Sequence, residues 1–172
     1  MGMDMDAKTY LAGIPELAPL MDAADRIHVR SVETDLPLRT LVVRVLSYTP
    51  GWMLGLYRLR AVLVRLLGTR QEGMPGRVAL EPEEVSFTPG DPAAFFTVAA
   101  AEEGLFWAAS ARDGIIEGTL AVARESVPGG PDRCHVLTLA RFVRPAGRVY
   151  FTIITPFHHL VVAGMLRHAL RG

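Results

Sequence analysis

The stretch T-P-F-H-H-L-V-V-A-G-M-L-R-H-A-L, Thr155 to Leu170, decides the fold. Thr155 suits an N-cap and Pro156 the first helical position, where a missing N–H costs nothing, so the sequence predicts a helix from here almost to the end of the chain. At about 100° per residue, Leu160, Gly164, Arg167, His168 and Arg171 share one side of that helix. The remaining side is a broad apolar arc that holds His158, His159, Val162, Met165 and Leu166, and an arc of that width has to be covered. The segments before it, from Phe95 to Ile154, read as strands in series. Laying the terminal helix across a sheet is the simplest cover for both.

Working back from the helix, the strands are bounded by turn residues. Arg148 to Ile154 and Cys134 to Val143 flank Arg144-Pro145-Ala146-Gly147. Ile115 to Glu125 follows the tight-turn signal Arg112-Asp113-Gly114, and Glu102-Glu103-Gly104 joins Ala94–Ala101 to Leu105–Ala111 as a hairpin. Short turns pair neighbours, which gives an antiparallel meander. A weak strand is expected around 77–80 or 85–87, and Thr69 to Gly76 reads as a connector.

The N-terminal half holds one firm strand, Asp25 to Thr34, in which Ile27, Val29 and Ser31 alternate with His28, Arg30 and Val32. Leu38–Ser47 and Pro50–Leu67 read as two helices, with Gly68 as the stop of the second. Residues 1–24, broken by Pro15 and Pro19, form an N-terminal arm expected to pack on a single domain spanning 25–172.

Composition narrows the function classes. With 172 residues, half of them hydrophobic, the chain can bury one sizeable core without staples. Lys+Arg and Asp+Glu both number 18, so net charge gives no argument for nucleic acid. A single Cys, Cys134, excludes an intramolecular disulfide and fits a reducing compartment. Acids near the N-terminus do not make a secretory signal, and five arginines interrupt the apolar segment 36–67 too often for a membrane span. The reading is a cytoplasmic protein with no cofactor, no metal and no nucleic acid, in which membrane contact ranks below ligand binding and a homodimer has room.

The order strand, helix pair, antiparallel meander, long C-terminal helix resembles the helix-grip fold of the START-related, birch-pollen-allergen-like superfamily. Pro50-Gly51-Trp52 with Leu56, Arg58 and Leu66-Leu67-Gly68, the strand Gly104-Leu105-Phe106-Trp107, and Tyr150-Phe151 with Pro156-Phe157-His158-His159-Leu160 are similar to domain-of-unknown-function family 2867. The resemblance implies an α+β fold: a curved antiparallel sheet of about six to seven strands around the terminal helix, two helices inserted after the first strand, and a cavity between sheet and helix. It supplies no reaction.

Candidate site residues follow from position. His158 and His159 lie in the first turn of the expected helix, whose positive end disfavours imidazolium and leaves rings able to accept a proton or bind a ligand. Adjacent histidines chelate a metal poorly from one helix. Phe96, Trp107, Phe142 and Phe151 on strands, with Met165 on the helix, are expected to line an apolar pocket with the histidines. Glu117, mid-strand among apolar neighbours, is a weaker candidate for acid–base work with His158 or His159. No nucleophile elbow, P-loop or metal-spaced Cys/His cluster occurs. The leading expectation is a module that binds a small apolar or amphipathic molecule. The alternatives are a cyclase, dehydratase or isomerase using a histidine for proton transfer, and self-association or membrane-surface contact through helix 50–67.

Overall fold

The computed structural model describes residues 2–66 and 84–171. Helices α1 (Gly2–Ala12) and α2 (Ala18–Asp22) precede strand β1 (Arg26–Glu33), helices α3 (Leu38–Leu46) and α4 (Met53–Leu66), five strands, and the long helix α5 (Ala146–Arg171). The strands are β2 (Pro92–Ala93), β3 (Phe96–Glu102), β4 (Phe106–Arg112), β5 (Ile116–Glu125) and β6 (Arg133–Phe142). Together with β1 they form a six-stranded antiparallel sheet in the order β1-β6-β5-β4-β3-β2. This is the α+β helix-grip arrangement expected from the sequence.

Local chemistry explains the meander. Gly104, at φ 79°, takes the left-handed conformation between β3 and β4 that a side chain would resist. Between β4 and β5 the Asp113 carboxylate accepts from the Ile115 and Ile116 amides, both at 2.9 Å, which fixes the turn. Residues 85–87 form no strand; the Ser86 carbonyl instead accepts the Trp107 indole N–H at 3.0 Å. The expected stop at Gly68, the connector at 69–76 and the weak strand at 77–80 lie outside the described residues.

Both faces of the sheet are covered. On one, Leu38, Leu41, Val42 and Val45 of α3 and Val162, Leu166 and Ala169 of α5 pack over Trp107, Leu120, Val122 and Val136. These helical residues recur at three- and four-residue spacing, the period of one helix face. On the other, Leu11, Leu17 and Met21 from the N-terminal helices pack over Phe106, Ala108, Ala121, Leu137 and Leu139. Leu11 and Leu17 are fully buried, so the first 24 residues contribute core side chains.

One expected element is wrong. Arg148 to Ile154, read as a strand, is the beginning of α5, and Pro156 lies inside that helix instead of at its start. The β-branched and aromatic run V-Y-F-T-I-I-T favours a strand locally, but packing overrides such preferences. As a helix the segment buries Tyr150 against Ile115, Ile116 and Ala140, with Phe151 and Ile154 beside them. Gly147 lets the helix begin there: a Cβ on it would stand 2.6 Å from the Ile115 carbonyl oxygen.

Candidate functional site

The early start of α5 brings His158 and His159 to mid-helix, beside the edge strand. Each strand side chain alternates faces, so in β1 His28 points toward α5 while Ile27 and Val29 point toward α1 and α2. The register sets His28 opposite Thr138 of β6. Thr138 Oγ1 and His158 Nε2 are 2.9 Å apart, and His159 Nδ1 and His28 Nε2 are 3.3 Å apart. The three imidazoles cluster with centroids 4.4 to 6.2 Å apart, and Phe151 stands 6.3 Å from His158.

These residues line a cleft of about 440 Å³ between β1, β6 and the first half of α5, together with Arg26, Thr152, Thr155 and Pro156. Among the described residues no carboxylate lines it. Arg26 donates to the Asp25 carbonyl at 2.7 Å, and its guanidinium lies 5.8 Å from the Phe142 ring centre. Phe142 lies 5.8 Å from Phe151, just behind the cleft wall.

Hydrogen-bond logic fixes one nitrogen of this cluster. Arg30 Nε lies 3.3 Å from His28 Nε2, and a guanidinium can only donate, so that nitrogen accepts. His159 Nδ1 stands 3.3 Å from the same nitrogen. Burial, followed by the neighbouring His28 and His159, pushes His158 from the ordinary 6.5 down to about 4. His158 is accordingly neutral at physiological pH. Among the described residues no group of three or more His, Cys, Asp or Glu is arranged to hold a metal ion.

The other sequence-predicted residues lie elsewhere. Trp107 is fully buried beneath α3, and Phe96 sits half-buried near the far edge of the sheet beside Phe95. Met165 packs on the main core two helical turns beyond His158. Glu117 occupies the opposite sheet face, next to Leu20, Ala23 and Ala24, and pairs with Arg141 at 3.2 Å. The structure does not bring it to either histidine. Cys134 is buried, which pushes its thiol from 9.0 up to about 11 and keeps it protonated.

Sequence reasoning missed His28, Arg26 and Thr138. The alternation of β1 did place His28 on the face opposite Ile27. What it lacked was the β1–β6 pairing, a contact across more than a hundred residues that no local pattern encodes.

Fold and site together define an α+β helix-grip domain with a histidine-lined cleft at its sheet edge. A family described as protein of unknown function (DUF2867) matches residues 17–165, and the chain belongs to that family. Among solved structures it is similar to protein MLL2253 from Mesorhizobium loti, 13% identical over 85% of this chain and 98% of that one, with a TM-score of 0.41. It is also similar to Ara h 8.0201, 11% identical over 86% of this chain and 99% of that one, at 0.39. A third is the di-domain ARO/CYC BexL of the BE-7585A biosynthetic pathway, 11% identical over 98% of this chain and 58% of that one, at 0.26. No curated protein matches the sequence.

Proposed function

We propose that the domain binds a small amphipathic molecule in the cleft between β1, β6 and α5. One observation carries the reading: three histidines and an arginine converge on an open cleft of about 440 Å³ whose other wall is Phe151 and Pro156. Ligand sites of this size are commonly apolar with a few polar groups that fix orientation. The apolar part of the ligand lies along Phe151. Its polar end carries hydrogen-bond acceptors, because Arg26 offers donors and no carboxylate among the described residues lines the cleft beside it.

Proton transfer is the second reading, and the neutral His158 ring at the cleft wall favours it. Glu117, on the opposite face, gives it no support. Binding without chemistry asks less of the observed residues.

Anilinonaphthalene sulfonate, an amphipathic anion, tests the proposal by fluorescence titration. The native chain is expected to bind it, with affinity reduced at least tenfold, about 1.4 kcal/mol, in His159→Ala and in the cleft-filling Thr155→Trp. Equal binding by the native chain and both variants, or none by any of them, contradicts the reading.

A further inference from the structure

Helices α4 and α5 run side by side, and each turns the wrong residues outward. Arg60 of α4 points inward, where it pairs with Asp113 and donates to Tyr150 Oη of α5 at 2.8 Å. Trp52, Leu59, Val62 and Leu66, spaced as one helical stripe, face water instead, with Val62 55% exposed. On α5 the stripe Val149, Ile153, Phe157 and Leu160 does the same, with Leu160 56% exposed. Trp52 and Leu160 line a common cleft, which joins the two stripes.

Charge says what this face meets. The chain is neutral, yet α4 and α5 hold six arginines and no Asp or Glu. Arg58, Arg65, Arg148, Arg167 and Arg171 are exposed. A second copy docked through the same patch would set these arginines against one another with no carboxylate on either helix to pair with them. Aliphatic and Trp side chains among arginines match the boundary between headgroups and acyl chains of an anionic bilayer, where each cation adds attraction.

The geometry points to this face docking the domain on an anionic membrane surface, with Trp52 and the aliphatic stripes at the headgroup boundary and the arginines on the headgroups. Helix α5 has the length and apolarity to cross a membrane, but Val162, Leu166 and Ala169 hold it to the sheet, so it lies on the surface. The sequence alone ranks membrane-surface contact through helix 50–67 as an alternative only, because it does not show that the apolar stripes are exposed among the described residues. The inference stands whether or not the histidine cleft holds a ligand.

Trp52 is a built-in reporter, since the other tryptophan, Trp107, is fully buried. The full chain is mixed with vesicles of phosphatidylcholine alone and of equimolar phosphatidylcholine and phosphatidylglycerol. A blue shift of emission and co-sedimentation with the mixed vesicles only are expected, both weakened by salt. Arg58→Ser combined with Arg65→Ser is expected to lower partitioning about tenfold or more. Leu59→Ser with Val62→Ser, both surface changes, is expected to abolish the blue shift while circular dichroism stays unchanged. Three outcomes overturn the inference: no association with the mixed vesicles, equal association with neutral ones, or a stable dimer in sedimentation that the Leu59→Ser, Val62→Ser variant dissociates.

Discussion

Strand β6 carries polar chemistry on both of its faces, and the two sites are built to opposite specifications. Toward α1, His135 is fully buried: its Nδ1 lies 2.8 Å from Ser31 Oγ, its Nε2 lies 3.0 Å from Glu125, and Tyr10 packs 5.6 Å away. Toward α5, Thr138 meets His158 beside an open cleft, which His159 also lines. Burial lowers the pKa of both His135 and His158. A histidine with both nitrogens occupied and no space around it stabilises the fold. One that is neutral, desolvated and next to empty volume is available to a ligand.

The sharpest way to break this contrast is to remove each ring in turn. His135→Leu takes the ring from between Ser31 and Glu125, leaving Glu125 only its ion pair with Arg133, and is expected to cost about 2–4 kcal/mol, read as a large fall in melting temperature. His158→Leu is expected to cost under about 1 kcal/mol, because Thr138 borders the open cleft where water can replace the ring, and yet to reduce probe binding by removing a polar group of the cleft. Comparable stability losses from the two variants would erase the distinction.

Next in size is the helix start that places the cleft. A methyl on Gly147 meets a backbone carbonyl at 2.6 Å, so Gly147→Ala is expected to cost about 1–3 kcal/mol and to weaken probe binding by displacing Phe151 and His158. Gly164→Ala, near the other end of α5, meets only the movable tip of Tyr48 and is expected to cost less than Gly147→Ala and to leave the cleft unchanged. Chemical denaturation of the two variants compares them directly.

Acid gives a third test. His158 binds its proton less readily in the fold than in the unfolded chain, so its contribution to stability is whole above pH about 6.5 and is lost progressively as the pH falls toward about 4. His135 shifts in the same direction and adds to the slope. His158→Gln is expected to flatten the decline in denaturation midpoint across that window without abolishing it; an unchanged slope would show that the His158 ring is not held neutral. The smallest effect belongs to Glu117→Gln, expected to leave probe binding unchanged from across the sheet.

How much of this was legible varies by element. Turn residues placed β3 to β6, the alternation in β1 located its strand, and the apolar spacing of Leu38 to Leu46 gave α3, because each signal is local. The start of α5 was not legible: V-Y-F-T-I-I-T has the composition of a strand, and its helical state depends on burying Tyr150 against residues more than thirty positions earlier. The histidine pair was visible and its third member was not, since His28 joins it only through the β1–β6 register. Trp107 shows the converse limit. An aromatic on a strand announces burial, and only the packing tells whether it fills a core or lines a cavity.

Native mass spectrometry of the chain purified gently from its own host, beside the cleft-filled Thr155→Trp variant, bears most directly on the binding role. A bound small molecule on the native chain and a bare Thr155→Trp variant is the predicted result. An identical adduct on both proteins, or a bare native chain, would contradict it.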